Sequence, residues 1–293
     1  MAEGPTGSTV PRRQLGRYLR DLRNKARLTV RAAARQLEWS EAKMWRIETG
    51  QTSLRSLDVE AMCKVYGAPA DLTEALMGLA KETKARGWWH SYGDVIPEGF
   101  DLYIGLEEAA AQIDWYESEL IPGLLQTEDY ARTIIRADNP HEEEGEIERR
   151  ARLRTTRQVI LSRAAGAPTL RVVLNESVLR RPVGSNDVMA TQLNQLVEVS
   201  ELIRIRVVPF AAGLHLGVMS GPFTILRFPC NPDGSESEPP TVYAEGYTGV
   251  LYLDKPNEVE RYDRAFESIW DTALDEQASK HLMSEMAGSY GKA

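Results

Sequence analysis

The spacing of apolar residues in the first third of the chain predicts a group of short helices. Leu15, Leu19, Leu22 and Ala26 repeat at helical spacing, with arginines on the remaining faces. The same periodicity predicts four further helices at about 30–37, 40–48, 54–66 and 70–84. The first 86 residues are therefore expected to hold five helices.

Polar residues mark the ends of the second and third predicted helices. Thr29 and Ser40 stand where an N-cap hydroxyl group is expected, and Gly50 stands where the third helix should end. Ala33 and Ala34 give the second helix a small face that another helix can approach closely. Two short helices joined by a tight turn predict a helix-turn-helix, whose second helix enters the major groove of DNA.

From residue 87 onward, helices and strands are mixed. Helices are predicted at about 105–120, 126–137, 142–165, 186–201 and 256–285. Strands are predicted at about 170–174, 203–208, 222–228, 241–245 and 249–253. The succession of strand, helix and strand over 170–208 predicts one crossover unit, to which the later strands can add hairpins.

Length and composition agree with two globular domains. The chain has 293 residues, of which 42% are hydrophobic and 27% charged, and a domain commonly takes about 100–200 residues. The expected divisions are a disordered tail 1–11, a DNA-binding domain 12–86, a regulatory and dimerisation domain 87–285 and a frayed tail 286–293. No apolar run approaches the roughly 18 residues that cross a membrane, and no secretory signal is evident, so a cytoplasmic location is expected.

Charge is distributed unevenly between these two parts. The whole chain has a net charge of −8, but residues 1–86 hold 16 Lys and Arg against 10 Asp and Glu, a net +6. Residues 87–293 hold 19 against 33, a net −14. Residues 12–46 alone reach +8. A basic first part can bind nucleic acid, whereas the acidic second part should be repelled by it.

The sequence LTVRAAARQLEWSEAKMWRIETGQTSL, residues 28–54, resembles the repressor-type (XRE) helix-turn-helix family. The resemblance implies that Glu41, Ala42 and Arg46 face the bases, with Lys43 and Trp45 beside them, and that the cap Ser40 belongs to the same site. It also implies that the phosphates are touched by Thr29, Arg31, Gln51 and Ser53. Trp45 has two open interpretations: it touches DNA, or it turns into the core.

Two further residues of this stretch have specific expectations. The turn position usually held by Gly is Glu38, where a left-handed backbone would cost about 1–2 kcal/mol. Glu48 is expected to hold a neighbouring arginine or a backbone amide rather than to contact anionic DNA.

The second part resembles the C-terminal domain of the actinobacterial WhiJ-like regulators. The resemblance rests on Gly87-Trp88-Trp89, the run from Glu119 to Tyr130, Leu179–Gly184, Val208-Pro209-Phe210, Gly221-Pro222-Phe223 and Leu251–Pro256. It implies a role in development and antibiotic production, and a small BldB-like partner protein encoded nearby. The fold class expected from the whole sequence is α+β, a five-helix repressor-like helix-turn-helix domain followed by several helices and a mixed β-sheet.

An enzyme is the rival function from another class, and the sequence does not favour it. The four histidines are scattered, without a zinc or phosphate-binding motif, so no catalytic residue, metal or cofactor is expected. His215 follows a predicted strand and is taken as loop structure or a ligand contact. The candidate ligand or partner residues are Tyr116, Glu117, Arg180, Arg181, His215 and Asp254, although ion pairing is the simpler account of the charged ones.

Together these observations predict a DNA-binding transcriptional repressor. A homodimer is expected because one helix-turn-helix reads only a few base pairs, and two half-sites about 34 Å apart are the usual solution. The C-terminal domain would dimerise and control DNA binding. Three modes of control stay open: a small partner protein, a small-molecule ligand, or enzymatic turnover, in that order.

Overall fold

The computed structural model describes residues 9–83, 91–92, 94–96, 100–164, 166–200, 202–230, 236–247 and 249–291. The chain forms two compact units. The first comprises residues 1–93 and 97–109, and the second comprises residues 94–96 and 110–293. The N-terminal unit thus extends past the expected boundary at residue 86.

The N-terminal unit is helical. Its helices are α1 (Thr9–Lys25), α2 (Val30–Gln36), α3 (Glu41–Glu48), α4 (Ser56–Tyr66), α5 (Ala70–Glu82) and α6 (Phe100–Ala109). The five helices predicted from the spacing of apolar residues are confirmed as α1 to α5. Their core contains, among others, Leu15, Leu19, Ala33, Met44, Ile47, Val59, Met62 and Leu76.

Helix α1 begins inside the tail that was expected to be disordered. Thr9 is buried, and Arg12 donates a hydrogen bond to its hydroxyl oxygen over 3.3 Å. Gly105 of α6 packs directly on Thr9, at a position where a Cβ atom would clash. Packing against α6 therefore orders residues 9–11, whereas residues 1–8 of the expected tail lie outside the described residues.

The C-terminal unit is built on one mixed sheet. Its strands are β1 (Gln112–Glu117), β2 (Thr169–Asn175), β3 (Arg204–Val208), β4 (Phe223–Arg227), β5 (Thr241–Gly246) and β6 (Gly249–Leu253). The strand order is β3-β2-β1-β4-β5-β6. Strands β1, β2 and β3 are parallel to one another, and the pairs β1–β4, β4–β5 and β5–β6 are antiparallel.

The helices of this unit are α7 (Glu128–Asp138), α8 (Glu144–Thr156), α9 (Glu176–Arg180), α10 (Asn186–Val199), α11 (Leu216–Ser220), α12 (Pro256–Thr272) and α13 (Glu276–Tyr290). One face of the sheet packs against α12 through Val173, Ile225, Val242, Phe266 and Ile269. The predicted α+β fold with a mixed sheet is confirmed. The predicted crossover is present as β2, α9, α10 and the parallel strand β3.

The helix predicted at 105–120 is wrong. Helix α6 ends at Ala109, and residues 112–117 form β1, which lies between β2 and β4. A strand in the middle of a sheet is buried on both faces, so its residues do not alternate between apolar and polar. Ile113, Asp114, Trp115 and Tyr116 are buried in succession, which removed the period-two pattern that marks a strand.

The helix predicted at 256–285 is two helices. The chain turns at Ala273, and the side chain of Asp275 caps α13 by accepting a hydrogen bond from the Ala278 amide over 2.8 Å. Helix α13 then continues to Tyr290, so residues 286–290 of the expected frayed tail are helical. Met286 and Ala287 are buried, and α13 packs against α10. Residues 292 and 293 lie outside the described residues.

Candidate functional site

Helix α3 presents one exposed face and one buried face. Met44, Ile47 and Glu48 are buried in the N-terminal unit. Glu41, Ala42, Trp45 and Arg46 are exposed on the other side, since residues three and four apart share a helix face. Trp45 is 56% exposed, so it does not belong to the core. The exposed face therefore carries an acidic, a small, an aromatic and a basic side chain.

The N-termini of α2 and α3 have the predicted caps. The Thr29 hydroxyl oxygen accepts a hydrogen bond from the Ala32 amide, and the Ser40 hydroxyl oxygen accepts one from the Lys43 amide, each over 3.1 Å. Both hydroxyl groups hold helix starts, where the remaining backbone amides favour an anion. Thr29 and Ser40 are exposed, so these helix starts are open to an external group.

The remaining predicted DNA contacts lie around these two helices. Arg31, in the first turn of α2, is exposed, as is Ser53, which follows α3. Gln51 is half-buried. The ammonium group of Lys43 lies 3.4 Å from the centre of the Trp39 ring, a cation–π contact that holds this side chain at the edge of α3.

Glu48 holds α3 against α1 through a buried ion pair. Arg23 donates from Nε to Oε1 of Glu48 over 2.6 Å and from Nη2 to Oε2 over 2.7 Å. Arg23 also donates to the carbonyl oxygen of Leu28 over 2.8 Å. The hydrogen bonds that Arg23 donates to Glu48 raise the pKa of Arg23. The expectation that Glu48 binds an arginine is confirmed, and the pair fixes the orientation of the exposed face of α3.

Two backbone features bring α3 into place. Glu38, at the turn position usually held by Gly, has φ 57°, the left-handed conformation that costs a residue other than Gly about 1–2 kcal/mol. Gly16 of α1 lies against the carbonyl group of Ile47, so close that a Cβ atom there would be 2.5 Å from the oxygen. Helices α1 and α3 can approach this closely only because residue 16 has no side chain.

Basic side chains of the N-terminal unit are free to meet an external anion. Within the described residues, no carboxylate forms an ion pair with any of Arg20, Arg27, Arg31, Arg35 and Arg46. Arg27, Arg31, Arg35 and Arg46 are also exposed. Unpaired, exposed arginines on a small unit are what binding to a phosphate backbone requires.

In the C-terminal unit, the structure brings Tyr116 and His215 together. Tyr116 is buried and its ring contacts the His215 ring edge-on, with 6.1 Å between the ring centres. Burial raises the pKa of Tyr116 to about 12 and lowers the pKa of His215. His215 Nδ1 accepts a hydrogen bond from the Gly217 amide over 3.1 Å and so caps α11. His215 therefore has a structural role at this turn.

Two of the other predicted residues are engaged in ion pairs. Arg180 forms an ion pair with Glu176 over 2.6 Å, and Arg181 forms one with Glu119 over 2.7 Å. Ion pairing, the simpler interpretation of these arginines, is confirmed. Asp254 follows β6 at the end of the sheet opposite to Glu117, as the strand registers show.

Glu117 lies in a polar cluster that the sequence pattern did not predict. The Trp115 indole N–H donates to Glu117 over 3.1 Å, and burial raises the pKa of Glu117 to about 7. Trp115 and Tyr243 lie in one row across β1, β4 and β5, so Glu117 and Glu245, two residues further along, share their face. The Tyr243 hydroxyl group donates to Glu245 over 3.1 Å.

Arg154 adds a basic group near this cluster. It donates to the Gln126 side chain over 3.0 Å, and burial lowers its pKa to about 10. The attraction of Glu245 opposes that shift. The period-two pattern of Thr241–Gly246 could have placed Tyr243 and Glu245 on one face, but β1 had to be recognised as a strand before Glu117 could be placed beside them. No group of side chains suited to a metal ion occurs within the described part of the chain.

These features define the N-terminal unit as a helix-turn-helix domain, the architecture of a DNA-binding transcriptional regulator. Comparison with protein families agrees, since residues 14–76 match a helix-turn-helix domain. Residues 100–285 match DUF5753, a domain of unknown function, and the chain belongs to this family. No curated protein and no solved structure matches the chain. In the described residues, none of the helices has the length and apolar character needed to span a membrane.

Proposed function

We propose that the protein is a sequence-specific DNA-binding repressor whose α3 enters the major groove. The exposed face of α3 carries this proposal, because its unpaired Arg46 can donate two hydrogen bonds to guanine O6 and N7. Glu41, Ala42 and Trp45 share that face and would meet neighbouring base pairs. Trp45 would pack against a sugar or a thymine methyl group.

Phosphate contacts would fix the position of this helix on the duplex. The exposed starts of α2 and α3, with Arg31 beside Thr29, can bind phosphate oxygens through backbone amides and a guanidinium group. Gln51 and Ser53, which follow the C-terminal end of α3, would also contact phosphate oxygens. Such contacts supply affinity without reading sequence, and they make binding weaken as salt concentration rises.

The homodimer and the control of DNA binding complete the proposal. A single α3 reads few base pairs, so two copies would be needed to read an operator with two half-sites. On the resemblance to the WhiJ-like regulators, a small BldB-like protein would bind the C-terminal domain and change DNA binding. The same resemblance suggests control of development or antibiotic production. No chemical step is assigned to this domain.

A small-molecule ligand is the second candidate for the controlling signal. The cluster of Trp115, Glu117, Tyr243 and Glu245 favours it, because a carboxyl group with a pKa of about 7 beside hydrogen-bonding aromatic residues can bind a polar molecule. A metabolite fraction that raises the melting temperature of the full chain, when the small protein does not, would favour this alternative.

The decisive experiment compares Arg46→Ala with Arg264→Ala in binding to promoter DNA and to random DNA. Arg264 is an exposed arginine of α12, paired only loosely with Glu260 over 3.6 Å. Arg46→Ala should weaken binding to the specific site by about 10–100-fold and relax one base position per half-site, with little effect on random DNA. Arg264→Ala should bind as the wild type does.

Two results would count against the proposal. Equal weakening on specific and random DNA would make Arg46 a phosphate contact instead of a base contact. Failure of the wild-type chain to prefer its own promoter DNA over random DNA would remove the DNA-reading role of α3.

A further inference from the structure

The two edge strands of the C-terminal sheet, β3 and β6, differ in the partners of their outer backbone groups. At the β3 edge, the Val207 amide donates to the Ser279 hydroxyl oxygen over 2.9 Å, and its carbonyl oxygen accepts from the Leu274 amide over 2.9 Å. Arg204 and Arg206 add ion pairs with Glu276. This edge is closed by the start of α13 and has no backbone groups to offer at Val207.

Strand β6 forms the other edge of the sheet, and among the described residues no second strand pairs with its outer side. Strand β6 is the last in the strand order, and its sequence Gly-Val-Leu-Tyr-Leu contains no charged residue and no proline. Gly249, Val250 and Leu251 are exposed, with Leu251 at 56%. An exposed edge strand without charge or proline is a template for pairing with another strand, and proteins usually protect such edges.

We infer that β6 is the dimer interface, with the β6 strands of two copies of this chain pairing antiparallel about Leu251. This inference rests on the homodimer of the proposed function and names its surface. In that register Gly249 opposes Leu253 of the second copy, Val250 opposes Tyr252, and Leu251 opposes itself. The sheets of the two copies then join into one.

In this register the amide and carbonyl groups that β6 directs away from β5 can form hydrogen bonds with those of the second copy. Residues alternate along an antiparallel strand, so either 250 and 252 or 249, 251 and 253 direct their amide and carbonyl groups away from β5. Each set is paired with itself when the axis passes through Leu251. Such a self-complementary contact is what a two-fold dimer needs, and it closes the edge against further growth.

Charge favours a second copy in this register. No charged residue meets its own copy across β6, whereas an axis moved to Asp254 would oppose two carboxylates. With the axis at Leu251, Lys255 of one copy opposes Tyr247 of the other. Tyr247 is fully exposed and the Lys255 side chain is 73% exposed, so a cation–π contact can form at each end of the joined strands.

The first test measures the mass of the full chain by light scattering over a dilution series. Leu251→Lys places two ammonium groups opposite each other on the axis, and should raise the dimer dissociation constant at least about tenfold. The matched control is Leu202→Lys, an equally drastic change at an 86% exposed leucine that precedes the closed edge strand β3. Leu202→Lys should remain as dimeric as the wild type.

The second test is cross-linking through position 251. In a Cys230→Ser background, which removes the exposed native cysteine, Leu251→Cys should form a disulfide between copies on mild oxidation. Directly opposed residues in an antiparallel pair have Cα atoms about 4.5–5.5 Å apart, within the range that a disulfide spans. Leu202→Cys in the same background should stay uncross-linked.

The outcomes separate this inference from the proposed function. A monomeric wild-type chain, a dimer that persists in Leu251→Lys, or a Leu202→Cys variant that cross-links as well as Leu251→Cys would overturn the β6 interface. Binding of the monomeric Leu251→Lys chain to promoter DNA with weakened affinity but unchanged base preference would support both. A wild-type dimer that binds promoter DNA and random DNA equally well would instead reject the DNA-reading function, but it would not contradict the β6 interface.

Discussion

Arginines serve opposite purposes in the two units. In the N-terminal unit, Arg31, Arg35 and Arg46 are exposed and form no ion pair within the described residues. In the C-terminal unit, carboxylates lie within ion-pair distance of Arg132, Arg136, Arg149, Arg150, Arg171, Arg180, Arg181, Arg204, Arg206 and Arg227. The net charge of the whole chain, −8, does not reveal this difference in ion pairing between the two units. One unit keeps positive charge available for an external anion, and the other neutralises it internally.

In the N-terminal unit Arg23 and Arg55 do form ion pairs, and the buried pair of Arg23 gives the largest expected effect. Glu48→Ala should lower the free energy of unfolding by about 3–5 kcal/mol, because it leaves the buried Arg23 guanidinium group without its carboxylate. Asp58→Ala breaks the more exposed pair with Arg55 and should cost far less. Urea unfolding of the three proteins measures both losses. Equal losses would mean that burial does not distinguish the two pairs.

The C-terminal unit holds an acid, Glu117, for which no ion pair is found within the described residues. Glu117 has a pKa of about 7, raised chiefly by burial, with Glu245 and Glu119 adding repulsion and the Trp115 N–H opposing it. Unfolding returns this pKa to its ordinary value near 4.3. Between these two values the folded state keeps a proton that the unfolded state releases. The contribution of Glu117 is therefore complete below about pH 4 and is lost as pH rises through 7.

Glu117→Gln tests this pH dependence. Stability of the wild type relative to the variant should fall by about 2–4 kcal/mol between pH 4 and pH 8, as urea unfolding at several pH values would show. Glu198→Gln, a change at a carboxylate on α10 outside the cluster, should leave the pH profile as in the wild type. A Glu117→Gln profile parallel to that of the wild type would contradict a raised pKa at Glu117.

Close helix packing distinguishes the N-terminal unit in a way that one added methyl group can test. Gly16→Ala should destabilise it by about 1–3 kcal/mol, because the new Cβ meets the carbonyl oxygen of Ile47 and either strains or displaces α3. Binding to promoter DNA should weaken in parallel. Gly78→Ala is the control: open space surrounds Gly78 in α5, so alanine should stabilise that helix by about 0.5–1 kcal/mol. Calorimetric melting and a mobility shift measure the two effects, and a Gly16→Ala chain as stable as the wild type would show that α1 and α3 can separate at no cost.

The two units also differ in how much of them the sequence could predict. Helices α1 to α5 and both caps followed from local signals, since apolar spacing, cap residues and a tight turn act within a few residues of each other. The sequence predicted that Glu48 binds an arginine or a backbone amide, but its partner Arg23 lies 25 residues away. Whether Trp45 is exposed or buried could be decided only from the structure, because the exposure of one aromatic residue depends on how the neighbouring helices pack. The contacts that α3 makes with bases and phosphates stay a prediction.

In the C-terminal unit the decisive information was not local. Strand β1 was missed because burial on both faces removes the alternation. The buried Asp114 is stabilised by Arg171, distant in sequence, which binds it over 2.6 Å, and by the Gln112 amide group over 2.9 Å. With β1 unrecognised, the polar cluster around Glu117 could not be assembled. The pairing of Tyr116 with His215 depends on the same strand, which explains why those residues were named without a common geometry.

The smallest expected effect concerns the turn where sequence and structure agree on a strained residue. Glu38 has a left-handed backbone, and Glu38→Gly should raise the free energy of unfolding by about 0.5–1 kcal/mol, the relief of strain being partly offset by the greater freedom of glycine in the unfolded chain. Glu38→Ala keeps the Cβ atom and should bring no such gain. Urea unfolding of the three proteins separates backbone strain from charge, because both variants remove the carboxylate and only one removes the Cβ. Equal gains in both variants would assign the effect to the loss of an acidic side chain beside DNA-binding helices, and DNA affinity would then rise in both.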